Sequence, residues 1–111
     1  MATTESIVPI LRVADAAAAL PWWERLGFAH VHSHRFADGM PVFMTIRRGD
    51  VHVFLSEHLG DAVPGGLVYL WVTDVDAVAR EFGTQVEDNP WGRDTEVVDP
   101  DGNRVRVGQR A

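Results

Sequence analysis

Apolar and polar residues alternate with period two along most of this chain, and two stretches switch to helical spacing. Residues 6–13 read as a strand. Pro9 has no N–H to give a ladder, so this strand is an edge or is irregular there. Asp15 is placed to cap a helix over 16–26 that Gly27 stops, and Pro21 inside it predicts a kink or a restart. Three strands follow, 28–36, 41–47 and 51–57, with Asp38-Gly39 and Gly49-Asp50 as the turns between them. Residues 60–66, carrying Pro64, form a linker. The second half repeats the plan. It has a strand over 67–73, then Asp74 capping a helix over 75–82 that Gly83 ends. Strands at about 84–88 and 93–98, a turn, and a strand over 104–109 complete it. The letters echo too: Val13-Ala14-Asp15 against Val72-Thr73-Asp74, and Leu26-Gly27 against Phe82-Gly83. The economical reading is an α+β fold in one domain, 1–111, made of two βαβββ units, about 6–58 and 66–109, that form concave, helix-backed sheets.

The alternation assigns faces. Leu11, Val13, Val53, Leu55, Val68, Leu70, Val105 and Val107 fall on one side of their strands. Ile10, Arg12, His52, Phe54, Ser56, Leu67, Tyr69, Trp71, Arg104 and Arg106 fall on the other. The aliphatic side suits burial under helices; the mixed aromatic and polar side suits a binding surface. His30, His32 and His34 are expected on one strand face, with neighbouring side chains about 6.5–7 Å apart. Two of them can share a metal at that spacing, or all three can be exposed edge-strand residues.

Two runs near the C-terminus are dense in turn chemistry. Asp99-Pro100-Asp101-Gly102-Asn103 reads as a hairpin tip. In Asn89-Pro90-Trp91-Gly92-Arg93, a large ring sits between a rigid residue and a permissive one just before a strand, which suggests a ring presented to something. Four Trp in 111 residues exceed what a small core absorbs, so some cover a ligand or another subunit. Trp22 and Trp23 point about 100° apart on a helix, so one packs under the sheet and the other meets an edge or interface.

Composition narrows the function. The chain is 46% apolar, enough for a core, and has no Cys, which removes disulfides and thiolate chemistry and fits the cytoplasm. A formal charge of −6 argues against nucleic acid and favours a neutral or cationic ligand. No apolar run approaches the roughly 20 residues of a membrane span, and no basic-then-apolar leader is expected.

Together, the paired βαβββ plan, Val13-Ala14-Asp15, Trp22-Trp23-Glu24-Arg25-Leu26-Gly27-Phe28 and Asp99-Pro100-Asp101-Gly102-Asn103 resemble the vicinal oxygen chelate superfamily, the glyoxalase/bleomycin-resistance fold. Pro90-Trp91-Gly92-Arg93 and Phe54-Leu55-Ser56 resemble its bleomycin-resistance, drug-binding branch. Enzymes of the superfamily hold a divalent metal through His, Gln or Glu. The matching positions here are Val8, Leu67 and Arg106, with Val53 or Phe54 nearest the remaining one. Val and Leu cannot ligate, so the resemblance implies no metal, no cofactor and no catalytic residues. It implies a homodimer that sequesters a bleomycin-like cationic glycopeptide, with or without bound metal. The expected ligand-binding residues are Trp91, Gly92, Phe43, Phe54, Ser56, Tyr69, Trp71, His32 and Asp38. Acids expected near the cleft are Asp38, Glu57 and Asp94, while Arg104 and Arg106 form a positive strip with no assigned role. The alternatives are a metal-dependent lyase, isomerase or dioxygenase using the histidine strip, and a binding protein for another aromatic metabolite.

Overall fold

A computed structural model describes residues 4–111. In chain order the elements are β1 (Ile10–Arg12), α1 (Ala16–Arg25), β2 (Ala29–His34), β3 (Phe43–Arg48), β4 (Val51–Ser56), β5 (Leu67–Trp71), α2 (Val75–Phe82), β6 (Glu87–Asn89), β7 (Gly92–Val98) and β8 (Arg104–Arg110). They form two four-stranded sheets, ordered β1-β4-β3-β2 and β5-β8-β7-β6. In each, the unit's last strand lies between its first and third and runs parallel to the first. This is the α+β, paired βαβββ architecture that the sequence pattern implies.

The repeat extends to hydrogen bonds. Ile10 pairs with Phe54 as Tyr69 pairs with Arg106, and Arg12 with Ser56 as Trp71 with Gly108. The next residue along each last strand reaches the N-terminus of its own helix. Glu57 Oε2 accepts from the Ala16 N–H at 2.8 Å, and Gln109 Oε1 accepts from the Val75 N–H at 3.0 Å. Each satisfies a donor that helical geometry leaves unpaired. Asp15 and Asp74 cap the same helices by accepting from Ala18 and Ala77.

Three expectations are corrected. The first strand covers only Ile10–Arg12, not 6–13. Pro9 has no N–H, and its carbonyl, accepting from Phe54 N at 3.0 Å, is the last ladder bond before Ser6–Val8 leave the sheet. Helix α1 runs through Pro21 unbroken. The carbonyl freed there belongs to Ala17, which like Pro21 is exposed, so water can take the place of the missing donor. The histidines do not share a face. The β2–β3 register shifts between His30 and His32, with Val31 as the extra residue. His30 therefore stands opposite buried Ile46 on the helix side and bonds Ser33 Oγ at 2.7 Å, whereas His32 and His34 stand opposite Thr45 and Phe43 on the other side.

The core lies between each sheet and its helix and joins the two units, from Leu11, Val13 and Leu55 to Leu70, Val97, Val105 and Val107. Trp23 is fully buried and meets Phe28 edge-on at 5.4 Å. Trp22 is half-buried against Phe82 of α2 at 5.2 Å, so the adjacent rings divide between core and seam as the helical geometry requires. Arg25 lies over Phe82 and pairs with Glu81.

A second tie comes from the Asp99–Asn103 turn. Buried Asn103 donates to Arg12 O at 2.9 Å and to Asp99 Oδ2 at 3.0 Å, and accepts from Gly66 N at 3.0 Å. Asp101 accepts from Ala14 N at 2.9 Å. One carboxamide thus joins the linker, the β7–β8 turn and the β1–α1 corner. Among the described residues, no element is layered on the other face of each sheet. Ile10, Leu67, Tyr69 and Trp71 are each more than a third exposed there, and the body is flat, 47 × 39 × 21 Å.

Replacing Asn103 with Ala leaves two part-buried backbone groups, Gly66 N–H and Arg12 C=O, and the buried Asp99 carboxylate short of a partner. A stability loss of about 3 kcal/mol is expected in urea unfolding. A loss under about 1 kcal/mol would show that the carboxamide is not the joint between the units.

Candidate functional site

The β6–β7 hairpin closes at the Asn89–Gly92 pair, which leaves Pro90 and Trp91 as a two-residue tip. Trp91 is therefore at the hairpin tip, directly before β7, where the sequence reading put it just before a strand. Its ring is 56% exposed. Gly92 is obligatory behind it. Its φ is +150°, and a Cβ there would lie 2.3 Å from the Gln109 carbonyl oxygen. On the helix side the hairpin is pinned to α2 by Arg93, whose two terminal nitrogens donate to Asp76 at 2.9 and 3.0 Å. This bidentate bond holds the Asp76 carboxyl below its usual pKa.

Trp91 borders a cleft of about 510 Å³ lined by Asn89, Glu87, Asp94, Glu96 and Arg106. Three carboxylates face one guanidinium in that set, so the cleft favours cationic groups next to an aromatic wall. Asp94 accepts from Tyr69 Oη and from Asn89 Nδ2, both at 3.0 Å. Glu96 accepts from Arg104 at 3.0 and 3.1 Å and from Arg106 at 3.1 Å. The hydrogen bond from Arg104 comes first in lowering the pKa of Glu96, followed by that from Arg106. Arg104 and Arg106 are thus both tied to Glu96, whose one charge offsets about half of the positive strip. Pairing Glu96 with Arg106 across the hairpin was open to the sequence; the register that aligns them was not.

The repeat's register settles the positions that the resemblance associates with metal. Phe54 is the counterpart of Arg106, since Ile10↔Phe54 matches Tyr69↔Arg106. The set is then Val8, Phe54, Leu67 and Arg106. Three of these have no lone pair to offer, and the fourth is a cation held by Glu96, so the donors do not fit a divalent ion.

Phe43 and Phe54 lie side by side on the first unit's open face, ring centroids 4.9 Å apart. Phe43 borders a separate cleft of about 440 Å³ with His34, Phe36, His58 and Asp61. His32 is exposed on the same face, and Asp38 is on the exposed β2–β3 loop. Within one chain, none of these four borders the Trp91 cleft. Tyr69 and Trp71 lie on the second unit's open face with ring centroids 4.7 Å apart and planes tilted by 49°, and Arg110 lies over the Trp71 ring at 4.1 Å.

Two polar residues are committed elsewhere. Ser56 is fully buried, donates to Asp61 Oδ2 at 2.6 Å and accepts from His58 N, so it ties down the segment after β4 and offers nothing to a ligand. Glu57 is occupied by the Ala16 and Val42 N–H groups. One residue was missed. Phe36, placed at a strand end by the alternation, lies in the β2–β3 loop and is 75% exposed. That loop is the first unit's counterpart of the hairpin tip bearing Trp91. Its signal in the sequence is the same, an aromatic residue beside turn chemistry at Asp38-Gly39.

Over residues 2–111 the sequence matches the profile of the glyoxalase superfamily, and the chain belongs to that family. Solved structures give the nearer likenesses. A bleomycin-binding protein from bleomycin-producing Streptomyces verticillus, complexed with copper(II)-bleomycin, is 28% identical with a TM-score of 0.72, covering 100% of both chains. The bleomycin resistance determinant encoded on the transposon Tn5 is 27% identical with a TM-score of 0.73, covering 96% of this chain and 98% of its own. TnmS3, an antibiotic binding protein from Streptomyces sp. CB03234, is 25% identical with a TM-score of 0.74, covering 99% and 100%. No curated protein matches the sequence.

Because its folded pKa is depressed, Glu96 stabilises the fold fully above the unfolded carboxylate value of about 4.3, and that share is lost as pH falls through the folded value. The pair is partly exposed, so screening holds the contribution under about 1 kcal/mol. The expected result for Glu96→Gln is a urea midpoint below wild type at pH 7, with a gap that narrows as pH falls below about 4. A gap that stays constant with pH would contradict the pairing.

Proposed function

We propose that this protein binds a bleomycin-type antibiotic in the cytoplasm and withholds it by binding alone, without a chemical step. The observation that carries this reading is Trp91. A large ring is held out on a short, pinned hairpin, next to a cleft whose carboxylates are Glu87, Asp94 and Glu96. A flat heteroaromatic unit stacks on the ring, and a cationic tail follows the acids. Full-length likeness at 25–28% identity to antibiotic-binding and bleomycin-resistance proteins supports the same ligand class. The mismatch of Val8, Phe54, Leu67 and Arg106 with a metal supports a binding role over an enzymatic one.

In this reading the working unit is a homodimer. The open sheet faces of the two units are uncovered in one chain, and a radius of gyration of 14.8 Å exceeds the roughly 13 Å of a compact chain this long. A second subunit would bring its Phe36, Phe43, Phe54, His32 and Asp38 opposite Trp91, Gly92 and Trp71. Each cleft would then be walled by aromatic rings from both chains.

Metal-free bleomycin titrated into the protein is expected to quench tryptophan fluorescence and to saturate near one ligand per chain. Trp91→Ala should weaken binding by about 1–3 kcal/mol, the scale of one lost aromatic anchor. Absence of saturable quenching at micromolar drug would overturn the bleomycin assignment.

A further inference from the structure

Trp91 is exposed, yet its surroundings do not leave it free. Tyr69 rises from β5, and its ring crosses β8 above Gly108. A Cβ on Gly108 would lie 2.1 Å from the Tyr69 hydroxyl and 2.7 Å from Cζ, so only glycine lets the ring lie there. Beyond Gly108 the hydroxyl donates to Asp94 Oδ2 at 3.0 Å on β7. The other Asp94 oxygen accepts at 3.0 Å from Asn89, the residue before the Pro90-Trp91 tip. The relay thus starts on the edge strand β5, crosses β8 and β7, and ends at the base of the tip.

Partial burial, then the hydrogen bond to Asp94, push the Tyr69 phenol above its usual pKa. The Arg93–Asp76 clamp fixes the hairpin from the opposite face. The hairpin that carries Trp91 is thus held from two sides.

We propose that Tyr69 and Asp94, with Gly108 as the platform, are positioning residues that hold the hairpin tip, and with it Trp91, in place before any ligand arrives. Tyr69 then serves the site through Trp91 and not by touching the ligand, which revises its expected place as a lining residue. Immobilising a free, rotamer-rich side chain on binding weakens association by a factor of about 2 to 12, and a ring on a tip already held avoids part of that loss. The inference rests on the reading of Trp91 as a ligand wall only in its affinity arm.

The test uses full-length protein labelled with 5-fluorotryptophan. The Trp91 fluorine resonance is identified by its loss in Trp91→Phe. In Tyr69→Phe and Asp94→Asn it is expected to shift and broaden, while the Trp22 and Trp23 lines keep their positions and so report an intact fold. Unchanged Trp91 lines in both variants would overturn the proposal whether or not any drug binds. In the second arm, Tyr69→Phe should weaken bleomycin binding about fivefold in the wild-type background and less than about twofold in Trp91→Ala. An equal loss in both backgrounds would show that Tyr69 touches the drug itself and would overturn the positioning role. If no bleomycin binds to any form, the drug assignment fails and the fluorine arm alone decides this one.

Discussion

The arrangement of this protein depends on one buried carboxamide. Asn103 satisfies the Gly66 N–H, the Arg12 carbonyl and the Asp99 carboxylate at once. Those partners belong to the linker, the first unit and the second unit, so their bonds decide how the two sheets sit relative to each other. Each βαβββ unit can form its own hairpins from local signals. Neither knows from those signals where the other is. A buried amide with several partners has few alternative arrangements, because an unpaired group there costs about 1–3 kcal/mol. The helix seam of Trp22, Arg25, Phe82 and Glu81 then closes around the joint.

Much of the fold was legible because its signals are local. Asp15 and Asp74 cap where expected, and the apolar alternation marks Leu11, Val53, Leu55, Leu70, Val105 and Val107 as core. The failures are those of non-local or fine-grained effects. One extra residue at Val31 reverses which way His30 faces, and period-two counting has no means of seeing a bulge that the partner strand creates. Pro21 was expected to kink or restart α1, but its position on the exposed side makes the lost bond tolerable. Ser56 and Glu57 read as polar residues near a site, and both are consumed by loop and helix-end donors that only the folded chain brings to them.

The candidate site follows the same division. Trp91 was recognisable from Pro90-Trp91-Gly92, since turn residues around a large ring are hard to explain by packing. Phe36 carries the same signal in weaker form and was absorbed into a strand. The role of Arg104 and Arg106 depends on Glu96 standing opposite them, and that register sets the charge of the cleft. The resulting surface has one aromatic wall, several carboxylates and guanidinium groups already paired. Among the described residues, no group of His, Asp and Glu is arranged to hold a metal.

Binding without chemistry makes a quantitative demand. If the protein protects only by occupying the drug, protection must track the ratio of protein to drug and the drug must come back intact. The direct measurement is cleavage of supercoiled DNA by iron-activated bleomycin as protein is added, followed by mass spectrometry of the drug after the protein is denatured. Full protection near one chain per drug, with the recovered mass unchanged, is the expected result. Full protection at a small fraction of that ratio, or an altered drug mass, would contradict sequestration and establish an enzyme in its place.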